Sequence, residues 1–159
     1  MNNNSSEIYC LLVQLVSARL IIPRSCVAAV ISYQTPVELA GTPDWHLGVI
    51  AWNGRQVPVV SFEACCGEAV APVSSRSRLV ILYAAAHGIE SGHLALLAQE
   101  FPPLLRASPE LLRTDTTQPI DEQGLLICQL RLLDEAPWVP DLPRLEALVA
   151  SATPGAPAV

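Results

Sequence analysis

The chain has 159 residues, of which 51% are hydrophobic and only 15% are charged. This composition is typical of a folded chain, and the length is sufficient for one domain with a full core. All nine basic residues are arginine and the formal net charge is −6. That balance argues against a nucleic-acid binder, because such proteins normally present a basic face. The lack of lysine excludes Schiff-base catalysis, a Walker-A phosphate site and a Ser–Lys dyad.

The sequence shows no targeting or membrane-spanning pattern. The first basic residue is Arg19, and the apolar run 8–16 is much shorter than the ~20 residues that a membrane helix requires. The five cysteines are odd in number and form no CxxC pattern, so we interpret them as reduced thiols. These features predict a cytoplasmic protein without direct membrane insertion.

Strands are predicted at the start of the chain, after a polar segment at 1–6 that we expect to be disordered. Ile8 to Val16 is apolar on both alternating faces, which predicts a central, well-buried strand. Leu20 to Ile22 is a second short strand. Within 23–31 the apolar spacing changes to that of one face of a short helix, with proline at its start.

A β-hairpin is predicted over Leu47 to Phe62. Asn53-Gly54 tolerates positive φ at both central positions of a type I′ turn, whose twist matches the flanking strands. Pro58 cannot donate a ladder hydrogen bond, which places the return strand at a sheet edge or a bulge. Before the hairpin, Thr42-Pro43-Asp44 has the pattern of a helix cap, a first-position proline and a first-turn acid.

The second half of the chain repeats the pattern of short strands. Arg78 to Ala85 and Gly92 to Ala98 are predicted to pair as a hairpin, and Leu125 to Leu130 is a last strong strand. A one-turn helix is predicted from Ser108 to about Arg113. Asp141 to Ala150 is predicted to be a terminal helix.

Eight to ten short strands and three or four short helices predict a mainly β fold. The strands form two clusters, with a turn-rich connector at 67–77 as the expected seam. This pattern favours two small barrels or a sandwich over a βαβ sheet. Each cluster is too small for a comfortable core of its own, so the two should share one. We therefore expect a single domain over 7–151 and a disordered tail over 152–159.

The adjacent Cys65 and Cys66 form the most conspicuous chemical pattern. Metal sites usually space cysteines by two to four residues and add ligands at a second spacing, which the sequence does not supply. His46, His87 and His93 fall in no metal-binding or nucleophile motif. We assign no catalytic residue, metal or cofactor. A small β-barrel enzyme, or a metal–thiol site using Cys65, Cys66 and a histidine, remains the alternative hypothesis.

Acidic residues fall mostly in predicted turns. We interpret them as a solvated surface that maintains net charge for solubility. The residues concerned are Glu63, Glu68, Glu90, Asp115, Asp121 and Glu122.

The stretch around the hairpin resembles the first-half signature of CheW-like domains, the adaptors of bacterial chemosensory arrays. The shared pattern is a proline, then Gly-Val-Ile, a turn glycine and a Pro-Val pair. The Trp-x-Gly and Val-Ser-Phe-Glu variants are closest in character to CheW-like proteins of type IV pilus (twitching) systems, of the PilI and ChpC kind. The matching residues are Pro43, Gly48, Val49, Ile50, Trp52, Gly54, Val57, Pro58, Val59 and Phe62.

The resemblance implies two SH3-like five-stranded β-barrel subdomains that share a hydrophobic centre. It implies a non-catalytic adaptor that couples methyl-accepting receptors to a CheA-type histidine kinase, here in the control of type IV pili and twitching motility. The expected partners are the regulatory domain of the kinase, the cytoplasmic tip of the receptor and other CheW-like proteins. A general peptide-binding SH3-like module is a further hypothesis that differs only in its partner.

Partner contact is expected through the hairpin, whose apolar residues we expect to be exposed, and through the groove between the two halves. Trp52 with Arg55 at the hairpin tip is the favoured pair, because tryptophan and arginine are enriched at binding hot spots. Gly48 and Gly54 are expected to serve as structural turn residues. The family usually carries Asn-Leu-Arg-Gly at this turn, whereas this chain has Asn53 in place of the arginine, which implies altered partner choice. The expected partner-binding residues are Ile50, Trp52, Asn53, Arg55, Val57, Pro58 and Val60.

Overall fold

The fold is described from a computed structural model. It describes residues 8–84, 88–108, 113–115, 124–132 and 134–154. The predicted disordered start, most of the predicted one-turn helix after Ser108, and His87 lie outside these residues. Within them the protein has eleven strands and two α-helices, so the prediction of a mainly β fold is confirmed.

Six of the strands form one sheet, which we call the terminal sheet because its strands come from both ends of the chain. The strands are β1 (Ile8–Gln14), β2 (Arg19–Pro23), β8 (Leu104–Ala107), β9 (Arg113–Asp115), β10 (Leu126–Arg131) and β11 (Trp138–Pro140). Their order in the sheet is β8-β1-β2-β11-β10-β9. β1 is an interior strand, paired with β2 and β8, as predicted from its two apolar faces.

The other five strands form the central sheet. They are β3 (Val27–Ser32), β4 (His46–Trp52), β5 (Arg55–Val60), β6 (Arg78–Tyr83) and β7 (His93–Ala98). Their order in the sheet is β3-β6-β7-β5-β4. The predicted pairing of the two strands in the second half is confirmed, because β6 and β7 are antiparallel neighbours. The helices are α1 (Phe62–Cys65) and α2 (Leu142–Ala152).

The expected seam at 67–77 is wrong. That connector joins α1 to β6, and the strands on either side of it, β5 and β6, belong to the same sheet. The chain instead leaves the terminal sheet through a short 3₁₀ turn at Arg24–Cys26 and returns to it between β7 and β8. Turn-forming residues mark a loop, but they carry no information about which strands pair on either side of it.

One apolar core holds the two sheets together, as expected from the size of each cluster. Val13 and Leu20 of the terminal sheet pack in one cluster with Val80 and Leu96 of the central sheet, and Leu145 of α2 joins them. Each of these side chains is at most 1% exposed. Burial of a large aliphatic side chain contributes about 1.5–3 kcal/mol. Both sheets therefore contribute side chains to this one cluster.

The helix predicted within 23–31 is wrong, because 27–32 is strand β3. The pairing of β3 with β6 is irregular between Val27 and Ala29. Val27 and Val30 consequently face the shared core, whereas Ile31 packs on the opposite cluster. A bulge interrupts the regular alternation of side chains between the two faces of a strand. In β3 the interrupted alternation places apolar residues at spacings that resemble those of one face of a helix.

The predicted hairpin is confirmed. Its turn has φ of 50° at Asn53 and 73° at Gly54, as a type I′ turn requires. The expectation for Pro58 is wrong, because β5 lies inside the sheet between β7 and β4. Its pairs with β7 begin at Val59, so Pro58 precedes that ladder and its missing N–H costs no hydrogen bond there.

The helix predicted at Thr42-Pro43-Asp44 is also wrong, because the segment forms a turn. The Thr42 hydroxyl donates to the carbonyl of Leu39 at 3.0 Å rather than capping a helix. The His46 N–H donates to the Pro43 carbonyl at 3.0 Å, and β4 starts at that residue.

Gly48 lies at a bulge in β4 rather than at a turn. The register shifts between His46 and Gly48, and Gly48 has a φ of +124°. A Cβ there would lie 2.2 Å from the carbonyl oxygen of Val37. Val37 and Val49 exchange two backbone hydrogen bonds, of 2.8 and 3.0 Å, so this backbone contact holds the segment before the hairpin against β4.

We predict that Gly48→Ala lowers the free energy of unfolding by about 3 kcal/mol or more, because the strain of a positive φ and the clash of the new Cβ with the Val37 backbone both destabilise the fold. Gly41→Ala is the matched control, since Gly41 has a φ of +80° and open space around its Cβ position. It should cost about 1 kcal/mol from φ alone. Urea unfolding of both variants measures the difference, and equal losses would contradict the importance of the Val37 contact.

Candidate partner-binding site

The tip of the β4–β5 hairpin is exposed, whereas residues 57–60 of β5 are buried. Asn53, Gly54 and Arg55 are exposed and Trp52 is half-buried. The expected exposure of the apolar hairpin residues is therefore wrong for four positions. Ile50 is 4% exposed, Val57 and Val60 are 0% exposed, and Pro58 is buried.

These four residues are buried because β5 is an interior strand with a cluster on each face. Ile50 and Val57 pack with the apolar residues of β6 and β7 in one cluster, and Val60 packs in the shared core. Pro58 borders a small pocket of about 140 Å³ beside the end of α2. These residues support the hairpin from within, and its exposed surface consists of the tip.

Trp52 is the inner end of a row of three rings on the surface, the aromatic row. Its ring meets that of His93 edge-on at a centroid distance of 5.0 Å, and His93 lies 5.5 Å from Tyr83. Tyr83 is 59% exposed. His93 Nδ1 lies 2.9 Å from the Ser91 carbonyl, which can only accept, so that nitrogen carries the proton. Sequence reasoning identified Trp52 and did not find the other two rings of the row, Tyr83 of β6 and His93 of β7.

Arg55 connects the hairpin tip to the turn between β6 and β7. Its Nη1 donates to the carbonyl oxygen of Ser91 at 2.9 Å. The same carbonyl faces His93 Nδ1. Arg55 and Trp52 therefore contact the same neighbouring segment from two sides. The structure brings these two predicted contact residues together and gives the tip a defined position.

His46 is buried, and both of its ring nitrogens have hydrogen-bond partners. Its Nδ1 accepts from the Gly48 N–H at 3.2 Å, so Nε2 carries the proton and faces the Thr153 hydroxyl at 3.1 Å. That hydroxyl donates to the Val149 carbonyl at 2.7 Å. Burial lowers the pKa of His46, which favours the neutral ring that this arrangement needs. His46 thus ties β4 to the end of α2, and Thr153 lies within the tail that we expected to be disordered.

Glu63 is not a solvated surface acid, as the sequence led us to expect. It is 4% exposed in α1, and its Oε2 accepts from the Val16 N–H at 3.1 Å. This bond joins α1, which comes directly after strand β5 of the central sheet, to the β1–β2 turn of the terminal sheet. Burial raises the pKa of Glu63, while the N–H groups of Glu63 and Val16 oppose the shift and the charge of Glu68 adds to it.

A sequence signal for α1 was present. Ser61 follows an apolar strand and precedes an acid, as an N-cap residue often does. In the structure the Ser61 hydroxyl accepts from the Ala64 N–H. Nothing in the sequence showed that the β1–β2 turn would cover the carboxylate of Glu63.

Cys65 and Cys66 are poorly reactive thiols in this setting. Burial, and then the charge of neighbouring groups, raises the pKa of Cys65 to about 12 and that of Cys66 to about 11. The thiolate is the nucleophile and the metal ligand, so both functions are disfavoured near neutral pH. The described residues contain no group of three or more His, Cys, Asp and Glu placed to hold a metal ion.

Neither helix in the described part of the chain has the length and apolar character needed to span a bilayer.

Glu63→Gln tests the buried carboxylate. Because the pKa of Glu63 is raised above its unfolded value of 4.5, its contribution to the free energy of unfolding decreases as pH rises through the folded pKa. Glutamine does not titrate and retains an oxygen for the Val16 N–H. We expect the variant to gain stability relative to the wild type as pH rises from 4.5 to neutral.

Denaturant unfolding across this pH range measures the effect. Glu90→Gln is the matched control, because it removes the same charge from an exposed position and should show no such trend. A constant difference between Glu63→Gln and the wild type at all pH values would contradict the assignment.

The chain matches a known family and a known fold. A profile of the CheW-like domain family matches residues 9–137. The crystal structure of the scaffolding protein TtCheW from Thermoanaerobacter tengcongensis superposes with a TM-score of 0.72 at 15% sequence identity, over 89% of each chain. At this identity the likeness shows the fold alone. No curated protein sequence matches the chain.

The two sheets and their shared core agree with the expected arrangement of two SH3-like subdomains, although the described terminal sheet has six strands rather than five. The family profile covers well over half of the chain. The chain therefore belongs to the CheW-like domain family.

Proposed function

We propose that the protein is a non-catalytic adaptor of a bacterial chemosensory pathway. It couples the cytoplasmic tip of a methyl-accepting receptor to the regulatory domain of a CheA-type histidine kinase, in the cytoplasm. The observation that carries this proposal is the match of the CheW-like profile over residues 9–137. The TtCheW structure is described as that of a scaffolding protein, which agrees with such a role.

The proposed pathway is the one that controls type IV pili and twitching motility. The support is the pair of sequence variants at the hairpin, Trp52-Asn53-Gly54 and the segment from Val60 to Glu63, which resemble the PilI and ChpC kind of CheW-like protein. Asn53 replaces the usual family arginine at the exposed tip. Partner choice is therefore proposed to differ from that of a standard chemotaxis adaptor.

The proposed contact surface is the hairpin tip together with the aromatic row. Trp52 is held there by the ring of His93 and Arg55 by the Ser91 carbonyl, and Asn53 lies exposed between them. A rigid aromatic beside an arginine loses little conformational entropy on binding, which favours affinity. The buried residues of β5 act indirectly, because they hold the tip in place.

A direct binding measurement tests this proposal. Isothermal titration calorimetry should detect association with the kinase regulatory domain, with the receptor cytoplasmic domain, or with both, from the same organism. We expect Trp52→Ala to weaken the association about tenfold or more, as removal of a central interface aromatic does. Phe101→Ala is the matched control, since Phe101 is 62% exposed and lies outside the hairpin and the aromatic row.

Two results would count against the proposal in different ways. Absence of binding to both partners at tens of micromolar would contradict the adaptor function. Binding that Trp52→Ala leaves unchanged, or that Phe101→Ala weakens equally, would retain the adaptor function and reject the hairpin tip as its contact surface.

A further inference from the structure

The end of helix α2 is attached to the start of strand β4 through one buried histidine. His46 is 5% exposed. Its Nε2 lies 3.1 Å from the Thr153 hydroxyl oxygen, and its Nδ1 lies 3.2 Å from the backbone nitrogen of Gly48. The hydroxyl and the backbone N–H of Thr153 both donate to the Val149 carbonyl, at 2.7 and 3.1 Å. We call these contacts of His46 with Gly48 and Thr153 the His46 bridge.

The two hydrogen bonds of the ring require opposite roles of its nitrogens. The Gly48 N–H can only donate, so Nδ1 accepts and carries no proton. The Thr153 hydroxyl gives its single proton to the Val149 carbonyl, so its oxygen accepts from Nε2. Only the neutral ring, with its proton on Nε2, therefore satisfies both partners.

A protonated ring does not fit this place. Both nitrogens of an imidazolium carry a proton, so one of them would face the Gly48 N–H as donor against donor, and turning the ring over would not remove the conflict. The backbone at Gly48 is held in position by Val37, since a Cβ there would lie 2.2 Å from the Val37 carbonyl oxygen. Val37 and Val49 also exchange two backbone hydrogen bonds. The ring must therefore leave when it gains a proton, and its bond to Thr153 is then lost.

The preference for the neutral ring comes from burial. Burial lowers the pKa of His46, a backbone hydrogen bond opposes the shift, and no charged group of the described chain contributes to it. Trp45, whose ring centroid lies 6.0 Å from that of His46, does not titrate. The titratable and charged groups on the elements around His46 are Tyr33, Glu38 and Asp44 between β3 and β4, Arg55 in β5, Glu63 and Cys65 in α1, Glu90 in the β6–β7 turn, and Arg144 and Glu146 in α2.

We propose that the His46 bridge is an acid-sensitive attachment, and that protonation of His46 releases Thr153 and the last turn of α2 from the start of β4. Val149 is 0% exposed in the shared core, so the helix before it stays in place. The proposal goes beyond the adaptor function and does not depend on it, because the His46 bridge involves only residues of this chain.

The direction of the pH dependence follows from the two forms of the bridge. Above pH 6.5, the usual pKa of histidine, the ring is neutral in both the closed and the open form, and the bridge has its full stability. As pH falls below 6.5, the open form gains a proton that the closed form does not accept. The equilibrium then shifts toward the open form by up to about tenfold per pH unit, until the closed form is protonated as well.

The released segment forms one wall of the small pocket beside Pro58. Ala150, Thr153 and Pro154 line this pocket together with Val49 and Pro58 of the hairpin strands. Opening of the His46 bridge therefore uncovers apolar surface of these two strands, and it does so only at acid pH.

Hydrogen exchange of the full chain, measured by NMR between pH 7.5 and 5.5, tests the proposal. We expect the protection of the Thr153 amide, relative to the exchange of an unstructured chain at the same pH, to fall by about threefold to tenfold. The ring ¹⁵N spectrum at pH 7.5 should show that His46 carries its proton on Nε2 and none on Nδ1.

Two variants separate the His46 bridge from other effects of pH. His46→Gln supplies an N–H donor for the Thr153 hydroxyl and does not titrate, so the protection of Thr153 should be the same at both pH values. His93→Gln is the matched control, because it removes another histidine ring, in the aromatic row, and should retain the pH dependence of the wild type.

Three outcomes would overturn the proposal. These are equal protection of Thr153 at pH 7.5 and 5.5 in the wild type, a proton on Nδ1 of His46 at pH 7.5, and a pH dependence that His46→Gln retains or His93→Gln loses. The two wild-type measurements decide the matter even if His46→Gln does not fold. The assay contains neither kinase nor receptor, so its failure is distinguishable from failure of the adaptor proposal.

Discussion

The apolar core between the two sheets is the contact on which the rest of the molecule depends. Strands β1 and β2 supply one side, β6 and β7 supply the other, and Leu145 of α2 closes it. Because small sheets cannot bury enough surface alone, each sheet depends on this contact in addition to its own smaller cluster. Of the hairpin strands, Val60 packs in this shared core, whereas Ile50, Trp52 and Val57 pack in the cluster on the other face of the central sheet.

The apolar contact between the sheets is non-directional. Two buried polar side chains form hydrogen bonds that fix how neighbouring elements are placed against each other. Glu63 reaches from α1 to Val16 in the terminal sheet, and His46 reaches from the central sheet to Thr153 after α2. Unpaired buried polar atoms are costly, so each bond penalises a displacement of its two elements.

Neighbouring residues of the hairpin differ in burial and therefore in role. Ile50, Val57 and Val60 are buried and stabilise the strands, whereas Asn53 and Arg55 remain exposed at the turn. Trp52 is intermediate, because it is half-buried against the apolar cluster of the central sheet and its ring contacts His93. A tip held by a ring contact and by the Arg55–Ser91 hydrogen bond can meet a partner without first being ordered.

The sequence alone determined the features that depend on a few adjacent residues. The Asn53-Gly54 turn follows from the positive φ that these residues tolerate, and the terminal helix predicted over 141–150 is observed as α2. Only the tertiary structure decided which strands share a sheet, why 27–32 is a strand, and that Glu63 is buried. Those outcomes depend on strand pairing and burial by segments far away in the chain, which a local sequence pattern does not encode.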